Sequence, residues 1–584
     1  MRLKLTALWS FFVCTAALGQ GTIADYTNAK DIKEASTKVY GIPQQIVWSP
    51  DGNSFLYLVQ ENGRSNAAYI IDALTQEKKF IDVEAISKQM AKDVKLLTTR
   101  DRELKVLNGN EIEFVVDGVK WQWIISEDRL VNKGHITAPS RNADGAGRYW
   151  GARWDDSKGD AVDSPNKKYT AYIKNSNVFV QAKDTGSSEK QLTFDGSPGE
   201  FYAARIQWSG DSKKLAVLKV RKAEVRQLTL LESSPADQFQ PKLQTRDYPK
   251  PGDALAQYYP TVVDIESGQL FTVNPTSVNN QFSVSNVSWL NDNSAITFEF
   301  NKRGHQQYAI LALDAVTGKT DTVLIEHSNT FIDYSGKKFR FDNEPAKEII
   351  WASERDGWNH LYVFDAQTGA LKNQITKGNW VVRRVVDVDT AARRIIFEAS
   401  GMKKGEDPYL IRYYTVGFDG QNLKELTPET ANHQANFNPS KSMFVDTYSL
   451  ANKAPVSVLR STKDGKIIMP LVEADISALE ATGWRAPEIF SAPGRDGKTD
   501  IWGLIIRPRN YDPQKKYPVI EYIYAGPHSS FVPKSFYANP SGMYELAELG
   551  FIVVQIDGMG TSNRSKAFHD VAWKNLKDAG FPDR

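Results

Sequence analysis

Each kind of enzyme chemistry leaves its own residue spacing in a chain, and this chain can be searched for each. A serine nucleophile on a strand-to-helix elbow needs Gly-x-Ser-x-Gly, because only small flanking residues permit so sharp a turn. That pattern does not occur in the 584 residues. His-Glu-x-x-His is absent, and the carboxylates are scattered without metal-ligand spacing. Gly558-x-Gly560 follows an apolar run but lacks the third glycine and the helix-opening position of a dinucleotide fingerprint. Gly-Lys-Thr at 318–320 and at 497–499 lacks the glycine five positions earlier that a phosphate loop requires. No cofactor is implied. Tyr524 stands out instead, at the end of the β-branched and aromatic run Tyr517–Tyr524 and before Ala525-Gly526-Pro527. A phenol donates one strong hydrogen bond and stays neutral until pH ~10, which suits an oxyanion donor. An aromatic at a strand end can equally serve packing, and spacing alone leaves both roles open.

The elements that would position such a residue fall into two blocks. From about Tyr40 to Glu473 short alternating strands are separated by Gly, Asn, Asp and Pro turns. One unit recurs: a Trp, a Ser-Pro-Asp-Gly-like turn, then an apolar strand. Its clearest copy is Trp48-Ser49-Pro50-Asp51-Gly52 leading into Phe55 to Val59. Weaker copies lie at Ser164-Pro165-Asn166, Trp208-Ser209-Gly210-Asp211, Trp289 and Asn438-Pro439-Ser440. A second unit ends a strand in an acidic turn and glycine, as at Asp264 to Gly268, Asp314 to Gly318 and Asp365 to Gly369. Such recurrence predicts a β-propeller over 40–473, in preference to a β-sandwich array or a β-helix. After Ala474 the pattern becomes strand, helix, strand, helix, with strands at 489–491, 500–507, 517–524 and 551–556 and helices at 543–549 and 565–578. This predicts an α/β domain with a parallel sheet over 485–584. The chain stops at Arg584, four residues after Gly580, with a helix just turned back toward the sheet, so a fragment is expected.

Lys plus Arg is 72 and Asp plus Glu is 70, which gives no reason to expect nucleic acid or an anionic membrane as partner. Residues 1–20 read as a signal peptide: Arg2 and Lys4, an apolar stretch from Leu5 to Leu18, then small residues before Gly19 and Gln20. The only cysteine, Cys14, lies inside it, so the mature chain would have neither disulfide nor thiolate. A large exported protein without disulfides suits a bacterial periplasm or secretion route. No later segment reads as a membrane span. The basic pairs Lys337-Lys338, Arg383-Arg384 and Arg393-Arg394 are expected to be exposed strand or turn charges.

Three stretches resemble the dipeptidyl peptidase IV family of the prolyl oligopeptidase clan (serine peptidase family S9). They are Trp351-Ala-Ser-Glu-Arg-Asp-Gly-Trp-Asn-His-Leu-Tyr362, Tyr517 to Pro527, and Asp557-Gly558-Met559-Gly560-Thr561-Ser562. The resemblance implies a mainly β chain, with an eight-bladed N-terminal propeller followed by an incomplete α/β-hydrolase domain. It implies a serine-type exopeptidase, dipeptidyl or related, that cleaves short peptides through an acyl-enzyme. The nucleophile elbow, acid and histidine would lie past Arg584, leaving this chain inactive and its seven histidines outside the triad. Tyr524 would be the oxyanion donor. Arg153, ten residues before the Asp163-Ser164-Pro165 turn, matches the family arginine that binds a substrate carbonyl. The family's amine clamp is a pair of adjacent glutamates, but here only Glu200 is acidic, and it is offset, so release of dipeptides is in doubt. The peptide substrates are the partners this implies; a homodimer is compatible with the sequence but not specified by it. The alternative is a non-catalytic propeller that binds peptide or glycan beside a vestigial hydrolase stub.

Overall fold

A computed structural model describes residues 21–62, 64–90, 104–136, 156–184, 186, 188–577 and 579–584. The leader and Arg153 lie outside the described residues. Strand-forming runs give eight antiparallel meanders, at 43–81, 105–135, 162–191, 200–272, 281–327, 340–374, 381–425 and 432–473. These are blades 1 to 8 of a β-propeller. Blade 4 has a fifth strand and carries an inserted hairpin, Gln227–Glu232 paired with Lys242–Asp247.

The recurrent sequence units explain the blades. Ser49 is fully buried; its hydroxyl donates to Asp51 Oδ1 (2.5 Å) and accepts from Ser54 N (3.1 Å), tying the turn into the next strand. Ser164 and Ser209 repeat the arrangement with Asn166 (2.8 Å) and Asp211 (2.6 Å). The tryptophans reach backward between blades. Trp208 Nε1 in blade 4 donates to Val162 O of blade 3 (2.9 Å), and Trp289 Nε1 in blade 5 to Gln207 O of blade 4 (3.3 Å). Trp48 Nε1 in blade 1 donates to Asn436 O of blade 8 (3.2 Å), which closes the ring. Apolar packing follows the same route: Phe55, Tyr57 and Val59 of blade 1 bury against Val445 and Leu459 of blade 8. Asn438 Nδ2 adds a bond to Gly52 O (3.2 Å). Where the chain enters and leaves the ring, Tyr40 and Asp475 exchange both backbone hydrogen bonds (3.0 and 2.9 Å).

The second body is a four-stranded sheet in the order Glu488–Pro493, Asp500–Ile506, Ile552–Ile556, Val519–Glu521. Only the last pair is parallel. The first two strands are joined by the tight turn around Gly494 to Gly497, which forces an antiparallel hairpin, so the sheet is mixed rather than parallel throughout. The expected strand 517–524 is regular only over Val519–Glu521. It lies at the sheet edge with a partner on one side, and Tyr522 N to Val554 O (2.8 Å) is its last ladder bond. The expected helix 565–578 is helical only over Lys566–Asp570. Beyond it Lys574 takes a positive φ of 55°, which an α-helix cannot hold.

The sequence pattern gave no assignment to residues 21–39, yet they belong to this second body. Thr22 caps the helix Ile23–Ala35 in a reciprocal box with Asp25. Ile32 and Ala35 enter the core formed by Leu479, Trp484, Ile506, Phe536, Met543, Tyr544, Ala547 and Val553. The second body is thus assembled from both sides of the propeller. Ile32→Ala removes a fully buried side chain and should cost about 2–5 kcal/mol. Ile23→Ala, at a residue 88% exposed, should stay within about 0.5 kcal/mol. Urea unfolding followed by tryptophan fluorescence measures both; equal effects would place the helix outside the core.

Candidate active site

The parallel pair ends in two loops that meet at the C-terminal end of the strands. The first, after Val519–Glu521, carries Tyr524; the second, after Ile552–Ile556, carries Asp557 to Ser562. Asp557 is fully buried and works as the clamp between them. Its Oδ1 accepts from Phe531 N (2.7 Å) and its Oδ2 from Val532 N (3.1 Å). Ser562 N donates to Ser529 O (3.0 Å), Asn563 Nδ2 to Ser530 Oγ (2.9 Å) and Gln555 Nε2 to Phe531 O (3.1 Å). Burial pushes the Asp557 carboxyl above its ordinary range, opposed by the nearby Lys534 ammonium and the two amide donors.

Tyr524 packs its ring on Phe531 (centroids 4.1 Å apart), and its hydroxyl lies 3.1 Å from His528 Nε2. The side chain is about half exposed (49%), so the hydroxyl can reach a ligand. A Cβ at Gly526 would sit 2.6 Å from the His528 ring, so a larger residue there would move that ring. A half-exposed phenol held by an anchored aromatic, beyond the end of a parallel strand, can donate one hydrogen bond to a ligand oxygen.

The propeller meets this body at blades 6, 7 and 8; on blade 8 Asn432 Nδ2 donates to Ser535 Oγ (2.8 Å) and Ser449 Oγ accepts from Phe536 N (3.0 Å). Lys534 Nζ pairs with Asp407 Oδ2 of blade 7 (2.8 Å) and lies over the ring of Tyr409 (4.7 Å). The Arg564 guanidinium lies over the same ring (5.6 Å). Two of the expected surface pairs are corrected. Lys337 is buried, bonded to Glu354 Oε1 (2.6 Å) and His569 Nδ1 (3.2 Å), while Lys338 pairs with the buried Glu299. Arg383 is half-buried beside Ser400, whereas Arg384 is exposed as expected and pairs with Glu398. Isolated from their fold, basic pairs carry no signal that tells a seam from a surface.

Glu200 opens the strand Glu200–Tyr202 of blade 4. Its carboxylate is already engaged by Lys219 Nζ (3.2 Å) and by Arg221 (3.4 Å). Burial would raise its pKa, but these two cations hold it below the ordinary carboxylate range. Among the described residues no hydrogen bond or ion pair joins Glu200 to the Tyr524 loop. Glu429, His433 and Asp446 lie close enough to share a metal ion. Arg460 already sits among them, with Nη2 2.6 Å from Glu429 Oε2 and Nε 2.8 Å from Asp446 Oδ2, so the group is a charge cluster of blade 8. A cavity of about 380 Å³ opens at the seam of blade 6 and helix Lys566–Asp570, lined by Phe331, Asp333, Glu354 and Lys566; Tyr524 is not in its wall. No described helix is long and apolar enough to cross a membrane.

A propeller seated on a sheet of the α/β-hydrolase type, with a tyrosine loop at the strand ends, defines the fold class. The family model for the dipeptidyl peptidase IV (DPP IV) N-terminal region matches residues 152–455, and that for the prolyl oligopeptidase family matches residues 537–584. The chain belongs to the dipeptidyl peptidase IV family. It is 25% identical over 445 residues to a dipeptidyl-aminopeptidase B assigned in Penicillium rubens, covering 69% of this chain and 48% of that one. It is 24% identical over 486 residues to dipeptidyl peptidase 4 of Trichophyton rubrum, covering 76% and 58%. The chain spans about half the length of the curated relatives it matches. Two solved structures share the fold. A dipeptidyl aminopeptidase IV assigned in Bacteroides ovatus has a TM-score of 0.61 at 20% identity, covering 93% of this chain and 76% of that one. Porphyromonas gingivalis dipeptidyl peptidase 4 has a TM-score of 0.59 at 17% identity, covering 93% and 75%.

The clamp gives a direct test. Asp557→Ala leaves two buried amide donors without an acceptor and should cost about 2–4 kcal/mol, with faster hydrogen exchange at Phe531 and Val532. Unchanged stability and exchange would show that the loops are held by other contacts.

Proposed function

We propose that this chain supplies the propeller and the oxyanion side of an exported serine-type peptidase that cleaves short peptides. The observation that carries the proposal is the Tyr524 phenol, half exposed on a loop pinned by Asp557 at the C-terminal end of the parallel strands. In the resting site the hydroxyl faces His528 Nε2 (3.1 Å). When a serine oxygen attacks the substrate carbonyl, the carbonyl oxygen gains negative charge, and Tyr524 turns its O–H to it. One such donor is worth roughly 3–4 kcal/mol in the transition state. The nucleophile would sit in a Gly-x-Ser-x-Gly elbow that these 584 residues do not contain, with the acid and the histidine base following it.

Dipeptide release draws its support from the names of the relatives and not from Glu200. A substrate ammonium at Glu200 would compete with Lys219 and Arg221, so an oligopeptidyl or acyl-peptide preference fits this chain equally well. Arg153 is proposed to bind a substrate carbonyl, on its spacing from the Asp163-Ser164-Pro165 turn. Export to a periplasm or to the medium is proposed from the charged and apolar leader of residues 1–20.

The 584-residue chain should resist serine-directed phosphonate probes; specific labelling would mean that the nucleophile lies within it. In a longer product that carries the elbow, Tyr524→Phe should lower kcat about a hundredfold or more with little change in KM. Unchanged turnover would remove Tyr524 from the mechanism.

A further inference from the structure

The loop that presents Tyr524 has few bonds of its own. Between the Tyr522 N–Val554 O bond and the Ser562 N–Ser529 O bond, one hydrogen bond reaches its backbone among the described residues. That bond comes from His569, on the helix Lys566–Asp570: Nε2 lies 2.5 Å from Pro527 O. His569 is 1% exposed, and its other nitrogen, Nδ1, lies 3.2 Å from Lys337 Nζ. The chemistry of the two partners fixes the ring. A carbonyl oxygen can only accept, so Nε2 carries the proton; an ammonium can only donate, so Nδ1 offers its lone pair. The imidazole is therefore neutral, and it bridges two bodies. The helix around it is fastened to the propeller as well, through Lys566 N to Gly357 O (2.8 Å), Lys566 Nζ to Phe331 O (2.8 Å) and the stacking of Trp573 on Phe331.

We propose that His569 is a positioning residue for the oxyanion donor: the relay Lys337–His569–Pro527 ties blade 6 to the loop of Tyr524 and sets where the phenol stands. The proposal rests on the reading of Tyr524 given above, and it makes the propeller part of the machinery instead of a passive roof.

The relay has a built-in acid limit. Protonating Nδ1 would set an imidazolium N–H against the Lys337 ammonium. From the propeller side the ring also feels Asp333 and Glu354. On its own helix Lys566 and Asp570 pair with each other (2.9 Å), and the loop side offers the Pro527 carbonyl with His528 next to it. Burial and Lys337 lower the pKa of His569, against the pull of Asp333, Glu354 and the carbonyl, and the net direction is down. For a base held neutral in the fold, the unfolded chain binds the proton more readily. The stabilisation is complete above the unfolded value of about 6.5 and is lost as pH falls below it toward the folded value.

Hydrogen exchange at Phe531, Val532 and Ser562, the hydrogen-bonded amides that close the Tyr524 loop, tests the relay in the 584-residue chain, with rates corrected for intrinsic pH dependence. Wild type should be protected at about pH 7.5 and lose protection at about pH 5.5. His569→Ala should lose about tenfold at both values, as for one missing hydrogen bond. His569→Gln, whose amide both donates and accepts without titrating, should keep protection and lose the pH dependence. Lys337→Met, which leaves the hydrolase core untouched, should loosen the loop at about pH 7.5, because one link of the relay is gone, and should weaken the further loss at about pH 5.5, because the imidazolium then meets no ammonium. Histidine ¹⁵N spectra should show His569 with its proton on Nε2. A proton on Nδ1, or wild-type exchange in both His569→Ala and Lys337→Met, would overturn the proposal. In a longer, elbow-bearing product, slower turnover in His569→Ala but not in Tyr524→Phe would sink the oxyanion reading while the relay stands.

Discussion

A β blade has two faces to bury and only its neighbours to bury them against, so this molecule depends on the closure of a ring. The closure is made without a shared strand: each blade is a single stretch of chain, and blade 8 ends in its own fourth strand, Ile467–Glu473. Side chains therefore carry it, through the Trp48 indole on Asn436 O, Asn438 on Gly52 O and the packing of Phe55 and Tyr57 on Val445 and Leu459. Each is individually modest, about 0.5–1.5 kcal/mol for a neutral hydrogen bond. What makes them sufficient is that the ring's two ends are also held outside it. Tyr40 and Asp475 pair, and the segments beyond them run into one hydrophobic core. The helix Ile23–Ala35 and the strand Asp500–Ile506 share that core, so opening the ring would also mean pulling apart the hydrolase body.

The second constraint is the buried carboxylate of Asp557. Taking an ionised carboxylate out of water is expensive unless donors meet it. Here two backbone amides do so, with the Lys534 charge nearby favouring the ionised form, and the geometry this demands is the geometry of the site. The amides belong to Phe531 and Val532, and the Phe531 ring is the surface on which Tyr524 lies. Lys534 in turn pairs with Asp407 of blade 7. One carboxylate thus fixes an aromatic platform on one side and a propeller contact on the other.

Much of this was legible in the sequence, and the parts that were not share a cause. Ser49, Ser164 and Ser209 announce themselves because a turn hydroxyl that satisfies its own strand is a local device, complete within six residues. The tryptophans were legible as repeats, but their partners one blade back were not, since Trp208 and Val162 are 46 residues apart. The helix Ile23–Ala35 was missed because its amphipathic stripe is thin: Ile32 and Ala35 are its buried residues, and Ile23 points to solvent. The strand run Tyr517–Tyr524 was read as longer than it is because β-branched and aromatic composition reports propensity, while the length of a strand is set by the partner beside it. Lys337 was read as a surface charge because a lysine is buried only when paired, and its partners Glu354 and His569 are 17 and 232 residues away.

The same logic bears on Glu200, where a recognisable acid turns out to be spoken for. Asp195 and Glu200 face Lys219, and Glu200 also faces Arg221, so two carboxylates meet two cations and the local charge is balanced. An acid that clamps an ammonium must present surplus negative charge, since exchanging one cation for another gains little. Surplus charge at this blade edge would require a third carboxylate, and the positions beside Glu200 are Gly199 and Phe201. Asp195, Glu200, Lys219 and Arg221 therefore form a balanced charge cluster on blade 4.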